Sequence, residues 1–241
     1  MQVLNKFKGL NPTPLLFFDI ECVRGEKVLP ESGVLFDAWA YQRRKEGETT
    51  YEQLSSSYES FSPLYAEFNK VICASFGYVL DNKLYVKAFS GGDEKALLLQ
   101  IQEFLSLEHF NKYTLCGYSS NGYDIPVLSR RMIASSINLP PAIDFSDKKP
   151  WEVSPIDLQK VWNMGGFYTA SLTTVCYCLG IETSKSDNID GGKVSDIFWG
   201  AGKEKSKLAT ISSYCNSDVL STCNIARVMM GESIITELIV K

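Results

Sequence analysis

The sequence predicts one α/β domain with a mixed sheet, and three observations lead to this prediction. Short apolar runs typical of buried strands come early, three of them within residues 15–89. A stretch with helical spacing of apolar residues follows, then a further strand-like run, and the last third has mainly helical patterns. The 241 residues, 45% of them hydrophobic, are enough for a full core, and this length suits one large domain or one domain with an elaborate insertion.

The first predicted strand, residues 15–22, is the most apolar short run in the N-terminal third. Four apolar residues in a row predict a strand that is buried on both faces and central in its sheet. Because side chains alternate across a strand, Asp19 and Glu21 should lie on one side and Ile20 on the other. Two buried carboxylates repel each other unless a cation compensates them. This D-x-E is therefore either a divalent-metal site or the solvated end of a strand.

The other elements are predicted from the same kinds of pattern. Residues 71–79 and 84–89 are strand-like, and Asp81-Asn82 between them is typical of the tight turn of an antiparallel hairpin. The later predicted elements are a helix at about 97–105, a strand at 113–118, a helix at 125–134, a loop at 138–155, a short strand at 156–158, a helix at 172–179 and a helix at 207–230.

Residues 23–69 are predicted to be an insertion or long excursion from the end of the first strand. Apolar positions at helical spacing, such as Leu35 and Trp39, predict one or two short helices within it. Long connections at strand ends are often functional, and a variable surface insertion is the alternative that fits equally well. We predict a single domain over residues 1–241.

Charge and composition limit the classes of function. The 24 basic and 28 acidic residues leave a net charge of −4, which argues against bulk electrostatic capture of nucleic acid but allows a local basic patch. No signal-peptide pattern is present, and no apolar run approaches the roughly 18 residues of a membrane span. We therefore expect a soluble, cytoplasmic protein.

Cysteine and histidine do not supply a metal site. The seven cysteines are an odd number with mostly apolar or small neighbours, as is typical of reduced core residues. Cys176 and Cys178 form a C-x-C, without the C-x-x-C pairs of structural zinc sites. His109 is the only histidine, so a histidine-rich site is excluded.

Two further aspartates are placed where they could join Asp19 and Glu21. Asp124 lies at the junction between the fourth predicted strand and its helix, and active sites accumulate at such strand ends. Tyr214 is four residues before Asp218 in the last predicted helix, so both face the same way. The alternative is that these carboxylates are solvated and that Tyr214 is a core residue.

The three motifs, in this order, resemble a known nuclease superfamily. Asp19-Ile20-Glu21, Tyr123-Asp124 and Tyr214-x-x-x-Asp218 are similar to the exonuclease motifs of the DEDD superfamily, in its tyrosine-type branch (DEDDy). More narrowly, about residues 13–227 resemble predicted 3′–5′ exonucleases related to the proofreading domain of family B DNA polymerases. The resemblance implies an RNase H-like mixed sheet of five strands flanked by helices.

The resemblance also implies an activity and a site. The activity is two-metal-ion 3′–5′ hydrolysis of single-stranded or frayed DNA ends, which releases nucleoside 5′-monophosphates in repair or proofreading. The implied metals are Mg²⁺ or Mn²⁺, bridged by Asp19, with Glu21 and Asp218 on one ion and Asp124 on the other. Because a phenol with a pKa of about 10 is a poor base, Tyr214 would complete the catalytic residues by orienting the attacking water.

Two positions show how this chain compares with the families that it resembles. The polymerase-type second motif usually has asparagine five residues before its aspartate; here Ser119 stands there and Asn121 stands three before, so either could make that contact. Histidine-type relatives carry histidine five residues before the last aspartate. This chain has Ser213 there, which favours the tyrosine-type branch.

Nucleic acid 3′ ends are the expected partner, without a membrane. Phe167 could stack on bases and Lys193 could meet phosphates, although core aromatics and solvated lysines look the same in a sequence. The candidate substrate-binding residues are Ile20, Ser119, Asn121, Tyr123, Tyr168 and Lys185. No residue reports on a 2′-hydroxyl, so a 3′–5′ exoribonuclease is the alternative, and a non-catalytic nucleic-acid-binding module is a third.

Overall fold

The computed structural model describes residues 4–7, 14–149, 151–183 and 191–241. In these residues a mixed sheet has six strands in the order β5-β4-β1-β2-β3-β6. The strands are β1 Leu15–Arg24, β2 Asn69–Leu80, β3 Lys83–Ser90, β4 Thr114–Gly117, β5 Ile156–Asp157 and β6 Leu238–Val240. The helices are α1 Val34–Arg43, α2 Tyr51–Phe61, α3 Glu94–Leu105, α4 Asp124–Ala134, α5 Leu158–Trp162, α6 Leu172–Leu179, α7 Val194–Trp199 and α8 Glu204–Met229.

Strand β1 is central, as its apolar run predicts. It pairs antiparallel with β2 and parallel with β4. Phe18 packs into a core cluster with α3 and α4, whereas Phe17 packs into a second cluster with α6 and α8. Both rings are buried, because the alternation of side chains along a strand directs neighbours to opposite faces. This burial on two faces holds β1 rigidly between two layers of helices.

The predicted hairpin is confirmed, and the sheet has one strand more than expected. Asp81 and Asn82, with φ of 50° and 58°, make the turn between β2 and β3 in the left-handed region that tight hairpin turns require. The sixth strand, β6, pairs parallel with β3 at the edge of the sheet. It consists of three residues, too few for a periodic pattern, and it exists through pairing with a strand distant in sequence.

The long predicted helices are confirmed, and two short ones are additional. Helix α6 ends at Gly180, which has φ of 66°, as a C-terminal glycine in the left-handed region should. Helix α8 begins at Glu204, slightly before the predicted start. Helices α5 and α7 were not predicted, because each is too short for apolar spacing to recur. No helix in the described ranges has the length and hydropathy to cross a membrane.

The segment at residues 23–69 contains the two predicted short helices, α1 and α2. They enclose Trp39, which is fully buried and donates its indole N–H to the Leu54 carbonyl at 3.0 Å. A capping box between Thr50 and Gln53 begins α2. These helices therefore form a small core cluster of their own beside the end of β1.

Candidate active site

The two acids of the D-x-E triplet in β1 lie on the face of the sheet covered by α8. The carboxylate oxygens of Asp19 and Glu21 and the sulfur of Cys215, from α8, all lie within 4.8 Å of one another. Ile20, between the two acids, points to the other face and packs with Phe18. Strand alternation therefore puts the two acids together, as predicted, and Ile20 in the core.

Asp124 reaches the same place from the carboxyl end of β4. It is the first residue of α4, is buried, and accepts a hydrogen bond from the Ile20 backbone N–H at 3.2 Å. Burial is the main cause that raises the pKa of Asp124 to about 7; backbone N–H donors oppose this rise, and the charges of Asp157 and Asp218 contribute to it. This hydrogen bond ties the start of α4 directly to β1, next to Asp19.

Helix α8 contributes Tyr214, Cys215 and Asp218. Tyr214 and Asp218 are one helical turn apart, and the tyrosine hydroxyl donates to the carboxylate. Burial, and then the charges of Asp218 and Glu21, hold the pKa of Tyr214 above its usual value. Tyr214 is therefore a protonated hydrogen-bond donor rather than a base.

The acids at this place repel one another. Burial raises the pKa of Asp19 well above its usual value, and the charges of Glu21, Asp124 and Asp218 add to the effect. Burial does the same for Glu21, with Asp218 as the next cause. Across the part of the chain that the structure describes, no lysine or arginine forms an ion pair with Asp19, Glu21 or Asp124. A bound cation would compensate the negative charge of these acids.

The donor set fits a hard divalent ion. Carboxylate oxygens are the ligands that Mg²⁺ and Mn²⁺ prefer. The Cys215 thiol donates to the backbone carbonyl and the Oδ2 of Asp19, each at 3.4 Å, and burial raises its pKa. A neutral thiol occupied as a donor is a poor ligand for a soft metal such as zinc. The oxygens of Asp19 and Glu21 are thus the fitting ligands, and all seven cysteines are free, as expected for reduced core residues.

Asp157 organises the loop before Asp124. It is a buried aspartate to which the sequence analysis assigned no role. Its carboxylate accepts from the backbone N–H groups of Ser119 at 3.0 Å and Asn121 at 3.2 Å. It also caps the start of α5 through the Gln159 N–H at 3.1 Å. An aspartate directly between a short apolar strand and a helix start is the sequence signal that could have revealed this role.

The loop itself requires glycine at one position and backbone strain at another. A Cβ on Gly117 would lie 2.5 Å from the Cβ of Ser120, so only glycine allows the close return of the chain at the end of β4. Ser119 follows in the left-handed region with φ of 59°. The turn directs the chain toward Asp124.

Four of the six predicted substrate-binding residues differ in their surroundings. Asn121 lies beside the site but donates its side-chain amide to the Pro155 carbonyl at 3.2 Å, and Ser119 contributes a backbone N–H to Asp157. Tyr123 packs against the core and donates its hydroxyl to the Pro63 carbonyl at 2.7 Å, so its ring is not free to stack. Tyr168 is 79% exposed.

The remaining predicted contacts lie elsewhere. Phe167 is fully exposed, next to Tyr168. His109, the one histidine and not a predicted contact, lies in a short 3-10 turn beside Phe110. Lys185 lies outside the described residues, as does most of the polar stretch around it.

Comparison with known proteins identifies a superfamily and a similar fold. A family model for the RNase H superfamily matches residues 61–230, a span that includes Asp124, Tyr214 and Asp218 but begins after β1. The structure of the family B DNA polymerase from the hyperthermophilic archaeon Pyrobaculum calidifontis is similar, with a TM-score of 0.54 and 19% identity. That similarity covers 90% of this chain and 24% of the polymerase chain, so the chain spans about a quarter of the length of the polymerase. None of the curated proteins compared with the chain matches it.

Proposed function

Because the chain belongs to the RNase H superfamily, whose fold is a nuclease fold, we propose that it is a metal-dependent 3′–5′ exonuclease. It hydrolyses phosphodiester bonds at the 3′ ends of DNA and releases nucleoside 5′-monophosphates. The observation that carries the proposal is the gathering of the carboxylates of Asp19, Glu21, Asp124 and Asp218 around one stretch of β1. Among the described residues no lysine or arginine pairs with Asp19, Glu21 or Asp124, and buried acids in this state are unfavourable unless the site binds cations.

The four carboxylates have distinct positions in this proposal. Asp19 is central, since the charges of the other three all act on it, and it would contribute to both metal positions. Glu21 and Asp218 would complete one position, and Asp124 would hold the other. Divalent ions bound there would lower the pKa of the attacking water and offset the charge of the phosphate.

Tyr214 is proposed to orient the attacking water. Its hydroxyl is protonated and donates to Asp218, so it stands beside the carboxylate that would face the water. A phenol with a raised pKa cannot accept a proton at neutral pH, and its contribution is therefore hydrogen bonding.

The direct test uses matched DNA and RNA strands of one sequence, labelled at either end, with Mg²⁺, Mn²⁺ or EDTA. We expect the 3′-labelled DNA to release labelled mononucleotide as the first product and the 5′-labelled DNA to shorten stepwise. In EDTA neither strand should be hydrolysed. A blocked 3′ terminus is the control and should protect the strand. Internal cuts, or hydrolysis that persists in EDTA, would contradict the proposal, and faster hydrolysis of RNA would make the protein an exoribonuclease.

Replacement of Tyr214 by phenylalanine should slow turnover without abolishing it. The ring still fits the core, but the hydrogen bond to Asp218 is lost, and partners of metal ligands typically contribute roughly 10- to 100-fold to activity. Mn²⁺ affinity, measured by titration calorimetry, should remain close to that of the parent because all four carboxylates are retained.

The matched control for this prediction is Tyr177→Phe, since Tyr177 is an exposed tyrosine of α6. It should leave both rate and affinity unchanged. A Tyr214→Phe protein as fast as the parent would remove the tyrosine from the mechanism.

A further inference from the structure

A cavity of about 490 Å³ lies beside the candidate active site, near the carboxyl ends of β4 and β5. Its wall includes Asn121 from the loop before Asp124, Asp157 from β5 and Lys160 from α5. Trp151 and Met164 come from the flanking loops. A cavity of this size accommodates a group as large as a nucleobase with its sugar.

The cavity is cationic in a protein whose net charge is −4. Lys6 and Lys160 line it, and neither forms an ion pair with any residue that the structure describes. The one acid in the wall, Asp157, is buried and accepts hydrogen bonds from backbone N–H groups. Two lysines that pair with no described acid, next to a carboxylate that already accepts hydrogen bonds, attract an anion such as a phosphate.

Large apolar side chains stand exposed around the same cavity. Trp151 is 77% exposed and Met164 is 70% exposed. The Lys149 ammonium lies 5.4 Å from the centre of the Trp151 ring, which adds positive charge on this side. Phe167 and Tyr168 continue the exposed surface in the loop after Met164. Exposed aromatic rings among cations are the pattern of a platform on which single-stranded bases stack.

Asn121 supplies an unpaired polar group to this cavity. Its amide nitrogen donates to the Pro155 carbonyl, but its buried Oδ1 has no hydrogen-bond partner among the residues that the structure describes. A buried acceptor that lacks a donor is unfavourable, and an N–H group of a base, such as the ring N–H of thymine, would satisfy it. Asn121 is three residues before Asp124 in the loop that Asp157 holds, so one loop joins the wall of the cavity to the carboxylate site.

On the premise of the proposed function, we infer that this cavity binds a nucleotide of the single-stranded substrate next to the terminal one. Trp151 stacks on its base, and Lys160 with Lys6 meets its phosphate. Since stacking accepts every base, the site favours single strands or frayed ends over paired ends and shows little sequence preference.

The test measures affinity apart from hydrolysis. Fluorescence anisotropy would follow a labelled oligothymidylate of roughly 12 nucleotides, within the usual length of such sites, on an Asp19→Asn protein in Mg²⁺. Adding Trp151→Ala should weaken binding by about fivefold or more, and Trp151→Phe should restore most of it because the ring is kept. Adding Lys160→Ala should weaken binding. It should also reduce the slope of log affinity against log salt concentration by about one, which corresponds to one counterion fewer released.

Lys112→Ala is the matched control, since Lys112 is an exposed lysine before the amino end of β4, opposite to the cavity. It should bind like the background protein. Thermal melts establish that each variant is folded, as expected for exposed positions. Unchanged affinity in both the Trp151 and Lys160 variants overturns the inference even if the parent hydrolyses DNA. A parent that hydrolyses no strand overturns the proposed function, whatever these variants bind.

Discussion

Replacement of Asp19 by asparagine should abolish exonuclease turnover and, in the same protein, raise the melting temperature measured without metal. Turnover should fall by at least about 100-fold, because the central carboxylate of the metal-binding set is lost. Stability should rise, because one of several mutually repelling buried charges is removed while the shape of the side chain is kept. A gain of about 1 kcal/mol corresponds to about 2–4 °C for a chain of this size.

The two measurements are hydrolysis of a 3′-labelled strand and thermal unfolding in EDTA. Asp218→Asn should likewise lose turnover. Asp37→Asn is the control, since Asp37 is exposed on α1, and it should change turnover little. Undiminished activity in Asp19→Asn or Asp218→Asn would remove that residue from the site. A lower melting temperature for Asp19→Asn in EDTA would show that the carboxylate contributes structure rather than repulsion.

The metal-free protein should lose stability as the pH rises from about 4 to about 7. Burial raises the pKa of Asp124 from 3.8 to about 7, so the folded state retains a proton that the unfolded chain has released over this range. Because the folded state then binds more protons, the free energy of unfolding falls by up to about 1.4 kcal/mol per pH unit for this group. Asp19 and Glu21 shift in the same direction and strengthen the trend.

Urea unfolding in EDTA at several pH values measures this trend. Asp124→Asn should flatten the curve, since the amide does not titrate. Saturating Mg²⁺ should oppose the decline at high pH, because ionised carboxylates bind the ion and stabilise the folded state. A free energy of unfolding that stays constant or rises with pH without metal would contradict the predicted repulsion at the site.

The sequence by itself determined the parts of this protein that depend on neighbours along the chain. The apolar run before Asp19 predicted a buried central strand, and alternation put Asp19 and Glu21 on one side of it. Helical spacing put Tyr214 and Asp218 together. Each prediction required only the period of one element, which is a local property of the backbone.

Only the tertiary structure decided how distant segments meet. The edge strand β6 exists through pairing with β3, and Asp157 became the anchor of the loop before Asp124 through backbone N–H groups that lie far from it in sequence. Asn121 and Tyr123 are two residues apart in sequence, yet Asn121 lines a cavity and Tyr123 packs into the core. Their side chains are directed by a turn in which Ser119 adopts the left-handed region, a geometry that residue spacing does not encode.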